Sequence, residues 1–139
     1  MRLLLDTDVV VAAMRSPTGA SAELLRLASR GQITLLLTVA LALEYETVCL
    51  RAEHRLASGL SEGEVMAFVN GLIAIVEPVL PRFRWRPQLR DPADEIVLEA
   101  AVNGQAEAIV TFNVKDYGRA PQRFGIAVLL PREALMRKR

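Results

Sequence analysis

Four short stretches of the chain are apolar almost throughout: "RLLL" at 2–5, "ITLLLT" at 33–38, "AEAIVT" at 106–111 and "GIAVLL" at 125–130. A strand with one face in water alternates apolar and polar side chains, so runs like these call for a parallel sheet covered on both faces. Between them the spacing turns helical. A helix over 7–14 is broken by "SPTG" (16–19), and a second, "ASAELLRLASRG", ends at Gly31, which suits the position just past a helix terminus. Thr38 is an N-cap for a helix running to about Leu56, "SEGE" (61–64) is a capping box for a helix that Pro78 stops, and another helix covers 92–103. Residues 131–139 read as a C-terminal helix or tail. Strand and helix in alternation indicate an α/β domain, and 139 residues suffice for one such domain with its own core.

Several function classes fall away on composition. The longest uncharged apolar run, "TLLLTVALAL", is too short to span a bilayer and is closed by Glu44. The N-terminus meets Asp6 after Arg2 and a few leucines, with no signal-peptide pattern, so a cytoplasmic protein is expected. The single cysteine, Cys49, sits in an apolar helical pattern and reads as a small buried hydrophobe. Net charge is +1, but the cations are almost all arginine, with Lys115 and Lys138 the only lysines. Arginine's planar fork suits phosphate and carboxylate partners.

The stretch "LLLDTDVV" raises the functional question, because it sets Asp6 and Asp8 directly after a strand destined for the core. A carboxylate there loses its hydration unless something meets it. In open parallel sheets ligands bind beyond the carboxyl ends of the strands, which is where Asp6 falls. Other acids occupy comparable places: Glu44 in "TVALALEYETV", Asp91 and Asp94 in "RDPADEIVL", and Asn113 with Asp116 in "TFNVKDY". Asp91 before Pro92 is also what a capped helix start looks like, and Asn113 with Asp116 has cap spacing as well. Brought to one sheet edge, Asp6, Glu44, Asp94 and Asp116 would be a set of oxygen ligands. Oxygen ligands suit Mg²⁺ or Mn²⁺, whereas zinc and nucleophilic triads need histidine or cysteine, of which the chain has only His54 and Cys49. His54, in "RAEHR", reads as a surface helix residue. Hard divalent ions held by carboxylates are suited to phosphodiester hydrolysis.

In order along the chain, "LLLDTDVVV", "LEYETV", "RDPADEIVLEAAV" and "IVTFNVKDY" resemble the PIN domain, the fold of VapC-like toxin ribonucleases of toxin–antitoxin pairs. The resemblance implies a three-layer α/β/α fold over 1–139 and an Mg²⁺- or Mn²⁺-dependent endoribonuclease. It implies Asp6, Glu44, Asp94 and Asp116 as catalytic acids, with Asp6, Asp94 and Asp116 on the metal. Thr7, Asp91, Thr111 and Asn113 would support them. It also implies an RNA substrate, a small antitoxin partner and a possible homodimer. One departure is Asp8, where the family often has asparagine. Two other readings remain open: a catalytically inactive PIN-type module that binds RNA or protein, and a haloacid dehalogenase-like phosphatase with Asp6 as nucleophile and Asp8 as general acid. The second lacks a suitable downstream lysine and a later paired-aspartate motif.

The one basic stretch with interleaved aromatics is "PRFRWRPQLR" (81–90), leading into Asp91. Arg84 and Arg86 could neutralise RNA phosphates while Trp85 stacks on a base. The same alternation equally fits an edge strand with Phe83 and Trp85 turned inward. The apolar helices near 20–30 and 62–76 are candidate walls of a groove for an antitoxin helix.

Overall fold

The computed structural model describes residues 1–83 and 88–138. Strands β1 (Arg2–Leu5), β2 (Thr34–Leu37), β3 (Glu77–Pro78), β4 (Ala108–Val110) and β5 (Ala127–Leu129) form a single sheet in the order β3-β2-β1-β4-β5, parallel throughout. Helices α1 (Thr7–Arg15), α2 (Ala20–Ser29), α3 (Val39–Cys49), α4 (Ala52–Ser58), α5 (Glu62–Ile75), α6 (Pro92–Asn103) and α7 (Pro131–Lys138) complete a three-layer α/β/α domain. The leucines of β1 and β2 are buried, together with Ile109, Val110 and Leu129, as unbroken apolar strands require.

The expected helix starts rest on the side chains that the sequence marks. The Thr38 hydroxyl accepts from the Leu41 amide at 3.2 Å. Ser61 and Glu64 close a reciprocal box at 3.0 and 3.2 Å. Asp91 accepts from the Ala93 amide at 2.9 Å, with Pro92 at the first helical position. Gly31 takes a left-handed φ of 73° just past α2.

Two features differ from the sequence reading. The helix expected from Thr38 to Leu56 is broken: α3 stops at Cys49, and Arg51, with ψ of 140°, turns the chain into α4, which packs against α1. No glycine or proline marks this turn. The expected strands also gain a fifth, β3, whose Glu77 and Pro78 carry no strand signal. Proline is tolerated there because β3 is an edge. Arg2 holds it in place, pairing with Glu77 at 2.5 Å while also donating to the Gly104 carbonyl at 2.8 Å.

Gly104 closes α6 against this edge. A methyl group at its Cα would lie 2.9 Å from Leu36 Cδ1 and 3.0 Å from Val79 Cγ2, both in the packed core. Gly104→Ala is therefore expected to destabilise the protein by about 1–3 kcal/mol, the usual cost of overpacking. Denaturant unfolding measures it, and unchanged stability would show that this corner yields freely.

Candidate active site

The sheet register creates the site. Leu5 of β1 lies beside Val110 of β4, so the next residues, Asp6 and Thr111, leave the sheet side by side. The Asp6 amide extends the ladder to the Val110 carbonyl at 2.9 Å, and the Thr111 amide does the same to Leu129. Asp6 caps α1, and its Oδ1 accepts from the Thr7 amide at 2.8 Å. Its Oδ2 accepts from the Thr111 hydroxyl at 2.8 Å and the Tyr117 hydroxyl at 2.9 Å. The buried carboxylate thus receives three donors from three parts of the chain, which replace the water that it lost. Tyr45 of α3 donates to the Leu5 carbonyl immediately before it.

Asp8, one residue into α1, reaches the same turn. Its Oδ2 accepts from the Phe112 amide and the Asn113 side-chain amide, both at 3.0 Å, with the Thr111 hydroxyl 3.4 Å away. Its Oδ1 is buried and makes no hydrogen bond among the described residues. Burial, with the Asp6 charge adding to it, pushes the Asp8 carboxyl up to about 6; the Phe112 amide and other donors pull the other way. The Asn113 side chain does not cap the following 3-10 turn (Val114–Tyr117); it serves Asp8 instead.

Asp94 occupies the first turn of α6. Burial, then the charges of Asp6, Asp91 and Asp116, push it up to about 6, and the Tyr117 hydroxyl eases it in the other direction. Burial followed by Asp6 drives the Tyr117 phenol far above its ordinary range, so this hydroxyl is a neutral donor. Asp91, Asp94, Asp116 and Tyr117 share a cavity with Arg90, Lys115, Arg119 and Arg123. Glu44 opens instead into a neighbouring cavity with Thr7 and Asp8. The four acids expected together therefore form two groups, with Asp94 and Asp116 in one cavity and Glu44 in the other, while the Asp6 charge raises Asp94 and, on the Glu44 side, Asp8.

An all-oxygen donor set in which neighbouring carboxylates raise Asp94 by repulsion fits a hard divalent cation in its chemistry. Among the described residues, however, no three acidic, histidine or cysteine side chains are already drawn together as an ion-binding group. The sequence reading passed over Tyr117, Tyr45 and Glu95. Buried Glu95 accepts from the amides of Gln88 and Leu89 and so holds the segment entering α6. His54, expected at the surface, is only 15% exposed at its side chain and meets Arg15 at 3.4 Å. Cys49 is buried as expected, its thiol pushed up to about 11 by burial. Phe83 is 58% exposed rather than turned inward, and its backbone is held on both sides by the Asn103 amide. Arg84, Trp85 and Arg86 lie outside the described residues. No helix among the described residues is long and apolar enough to cross a membrane.

Fold and site together define a small parallel α/β/α domain whose acids gather beyond the carboxyl ends of its central strands. The family model for the PIN domain matches residues 2–115, and the chain belongs to the PIN domain family. That membership replaces the haloacid dehalogenase reading. Among solved structures, one chain of the VapBC2 crystal structure from Rickettsia felis, bound to a DNA fragment from their promoter, is similar in fold. It shares 13% identity at a TM-score of 0.62, covering 92% of this chain and 97% of that one. No curated protein sequence matches this chain.

The raised Asp94 carboxyl sets a pH dependence. Between its ordinary 3.8 and about 6 the folded protein holds a proton that the unfolded chain releases. The group's stabilising contribution is present below that window and is lost as pH rises through it. In EDTA, the melting temperature of the parent relative to Asp94→Asn is expected to fall between about pH 4 and about pH 6.5. Scanning calorimetry checks this, and a difference constant with pH would contradict it.

Proposed function

We propose that this PIN domain is an Mg²⁺- or Mn²⁺-dependent endoribonuclease, the toxin of a toxin–antitoxin pair. The observation that carries the reading is the convergence of Asp6 and Asp94 on the Tyr117 hydroxyl, with Asp116 in the same cavity as Asp94 and adding its repulsion to that of Asp6. Acids that repel one another at a sheet edge are relieved when a cation binds among them. Asp6, Asp94 and Asp116 are the ligands in this reading, and the bound metal would activate water and stabilise charge on the scissile phosphate.

The chain's own residues prepare that site. Tyr117 and Thr111 fix the Asp6 carboxylate through Oδ2, and Oδ1, which among the described residues accepts only from the Thr7 amide, has a lone pair for a further partner. Asp91 caps α6 and sets the direction of its first turn, where Asp94 lies. Asp8 and Asn113 fasten the turn that carries Asp116 to the start of α1. Glu44 stands across the neighbouring cavity, on the side of Asp8, as the remaining catalytic acid. The cations Arg90, Lys115, Arg119 and Arg123 around the acids suit a polyanionic substrate, and Arg84, Trp85 and Arg86 stay in this reading as RNA-binding residues on their sequence pattern alone. The VapBC2 likeness supports a small antitoxin as partner, and a homodimer remains part of the reading.

A second reading, an inactive PIN-type binding module, is favoured by the lack of a preassembled three-residue ion site among the described residues. Cleavage separates the two. The protein is expected to cut single-stranded RNA with Mg²⁺ or Mn²⁺ and not in EDTA, and Asp6→Asn, Asp94→Asn and Asp116→Asn to abolish cutting. No metal-dependent cleavage by the parent would favour the module. Tyr117→Phe removes one of the donors that orient Asp6 and should cost about 10–100-fold in metal affinity or activity, the usual effect of losing an outer-shell partner. Mn²⁺ titration and cleavage rates of this variant matching the parent would show that Tyr117 does not orient the site.

A further inference from the structure

The cavity that Glu44 and Asp8 share has a second side that the proposed chemistry does not use. It is about 600 Å³ in volume, within the size range of small-molecule sites. Its walls are Val11, Ala12 and Val48 with the ring of Phe112, and around them stand Arg15, Arg51 and His54. Arg15 closes the last turn of α1, and Arg51 is the residue that breaks the α3–α4 helix. Neither forms an ion pair with a carboxylate among the described residues, whereas Arg2, Arg26, Arg30 and Arg55 each do. Arg15 meets instead the ring nitrogen Nδ1 of His54 at 3.4 Å, while Nε2 of the same ring lies 3.7 Å from Glu53.

Phe112 supplies the other half of a recognition surface. It is 50% exposed although it lies only two residues past the buried strand β4. The Asp8 carboxylate holds its amide at 3.0 Å, which fixes the backbone from which the ring projects. The ring also borders a second, more apolar cavity lined by Ala20, Leu130 and Arg132. An aromatic side chain at the edge of two cavities, beside two arginines that form no ion pair among the described residues, matches the two chemical parts of a nucleotide.

We infer that this cavity is a nucleotide subsite for single-stranded RNA, with a backbone phosphate on Arg15 and Arg51 and a base against Phe112. The inference rests on the ribonuclease reading and adds to it the place where the strand is held beside the acids. The break between α3 and α4 gains a purpose in this arrangement, since it brings Arg51 and His54 to face α1. Charge complementarity selects a polyanion, and the aromatic wall selects one that carries bases.

Fluorescence anisotropy of a labelled single-stranded RNA, read in EDTA over a range of salt, tests the subsite without requiring cleavage. Arg15→Ala and Arg51→Ala should each weaken binding and each lower the salt slope by about 0.7, the share of one phosphate on a single strand. Phe112→Ala should weaken it about tenfold, as expected for a lost base stack, with the salt slope unchanged. Arg30→Ala, whose charge is engaged with Glu23 outside this cavity, should bind as the parent does. All four side chains are substantially exposed, and melting curves verify that the variants fold. Binding by Arg15→Ala, Arg51→Ala and Phe112→Ala that matches the parent would overturn the subsite. So would tighter binding of a labelled poly-glutamate peptide than of RNA, weakened by the arginine variants, because the cavity would then serve an acidic peptide. A parent that binds RNA through these residues yet never cleaves it with metal removes the nuclease reading and leaves the subsite standing. A parent that cleaves while these variants keep its KM removes the subsite alone.

Discussion

A buried carboxylate at the end of a buried strand is the constraint around which this molecule is arranged. Asp6 leaves β1 as a buried carboxylate, and protein donors take the place of the hydration that it loses. Those donors come from the start of α1, from the end of β4 and from the 3-10 turn beyond it. Satisfying one side chain therefore fixes how three segments meet at the sheet edge. The parallel pairing of β1 with β4 makes this possible, since it releases Asp6 and Thr111 at the same level.

The same charge organises its surroundings. It lifts Asp8 and Asp94 after burial has already done so, and it drives the Tyr117 phenol upward, which keeps that hydroxyl a donor. In the proposed reading, a cation arriving here would displace the protons of these raised carboxyls. Asp8 has a different task. Its carboxylate clasps the Phe112 amide and the Asn113 side chain. One oxygen does that work while the other stays buried without a hydrogen bond among the described residues. The clasp also aims Phe112 outward, which connects the acids to the arginine-lined cavity beside them.

Much of this was readable before the structure, for local reasons. Unbroken leucine runs demanded a two-sided sheet, and Thr38, Ser61 and Asp91 cap the helices that they announce. Asp6 could be singled out because a strand end followed by acid is an electrostatic anomaly at any sequence distance. What escaped depends on partners far apart in the chain. Glu77 and Pro78 become a strand only because β2 presents an edge and Arg2 reaches across it. The turn at Arg51 has no breaking residue and follows from the packing of α4 on α1. Tyr117 looks like a core aromatic until its hydroxyl is found on Asp6. The separation of Glu44 from Asp94 was equally invisible, because strand order decides which cavity each residue faces.

The central claim is that Asp6, Asp94 and Asp116 act as one cation-binding unit. Carboxyl ¹³C NMR titration of the aspartates, without and with Mg²⁺, tests it at the atoms concerned. Without metal, Asp94 should titrate near 6. With Mg²⁺ present its midpoint should move below the ordinary carboxylate range, because a bound cation favours the charged form. An Asp94 midpoint that stays near 6 at saturating Mg²⁺ would contradict the account and leave these acids as structural neighbours only.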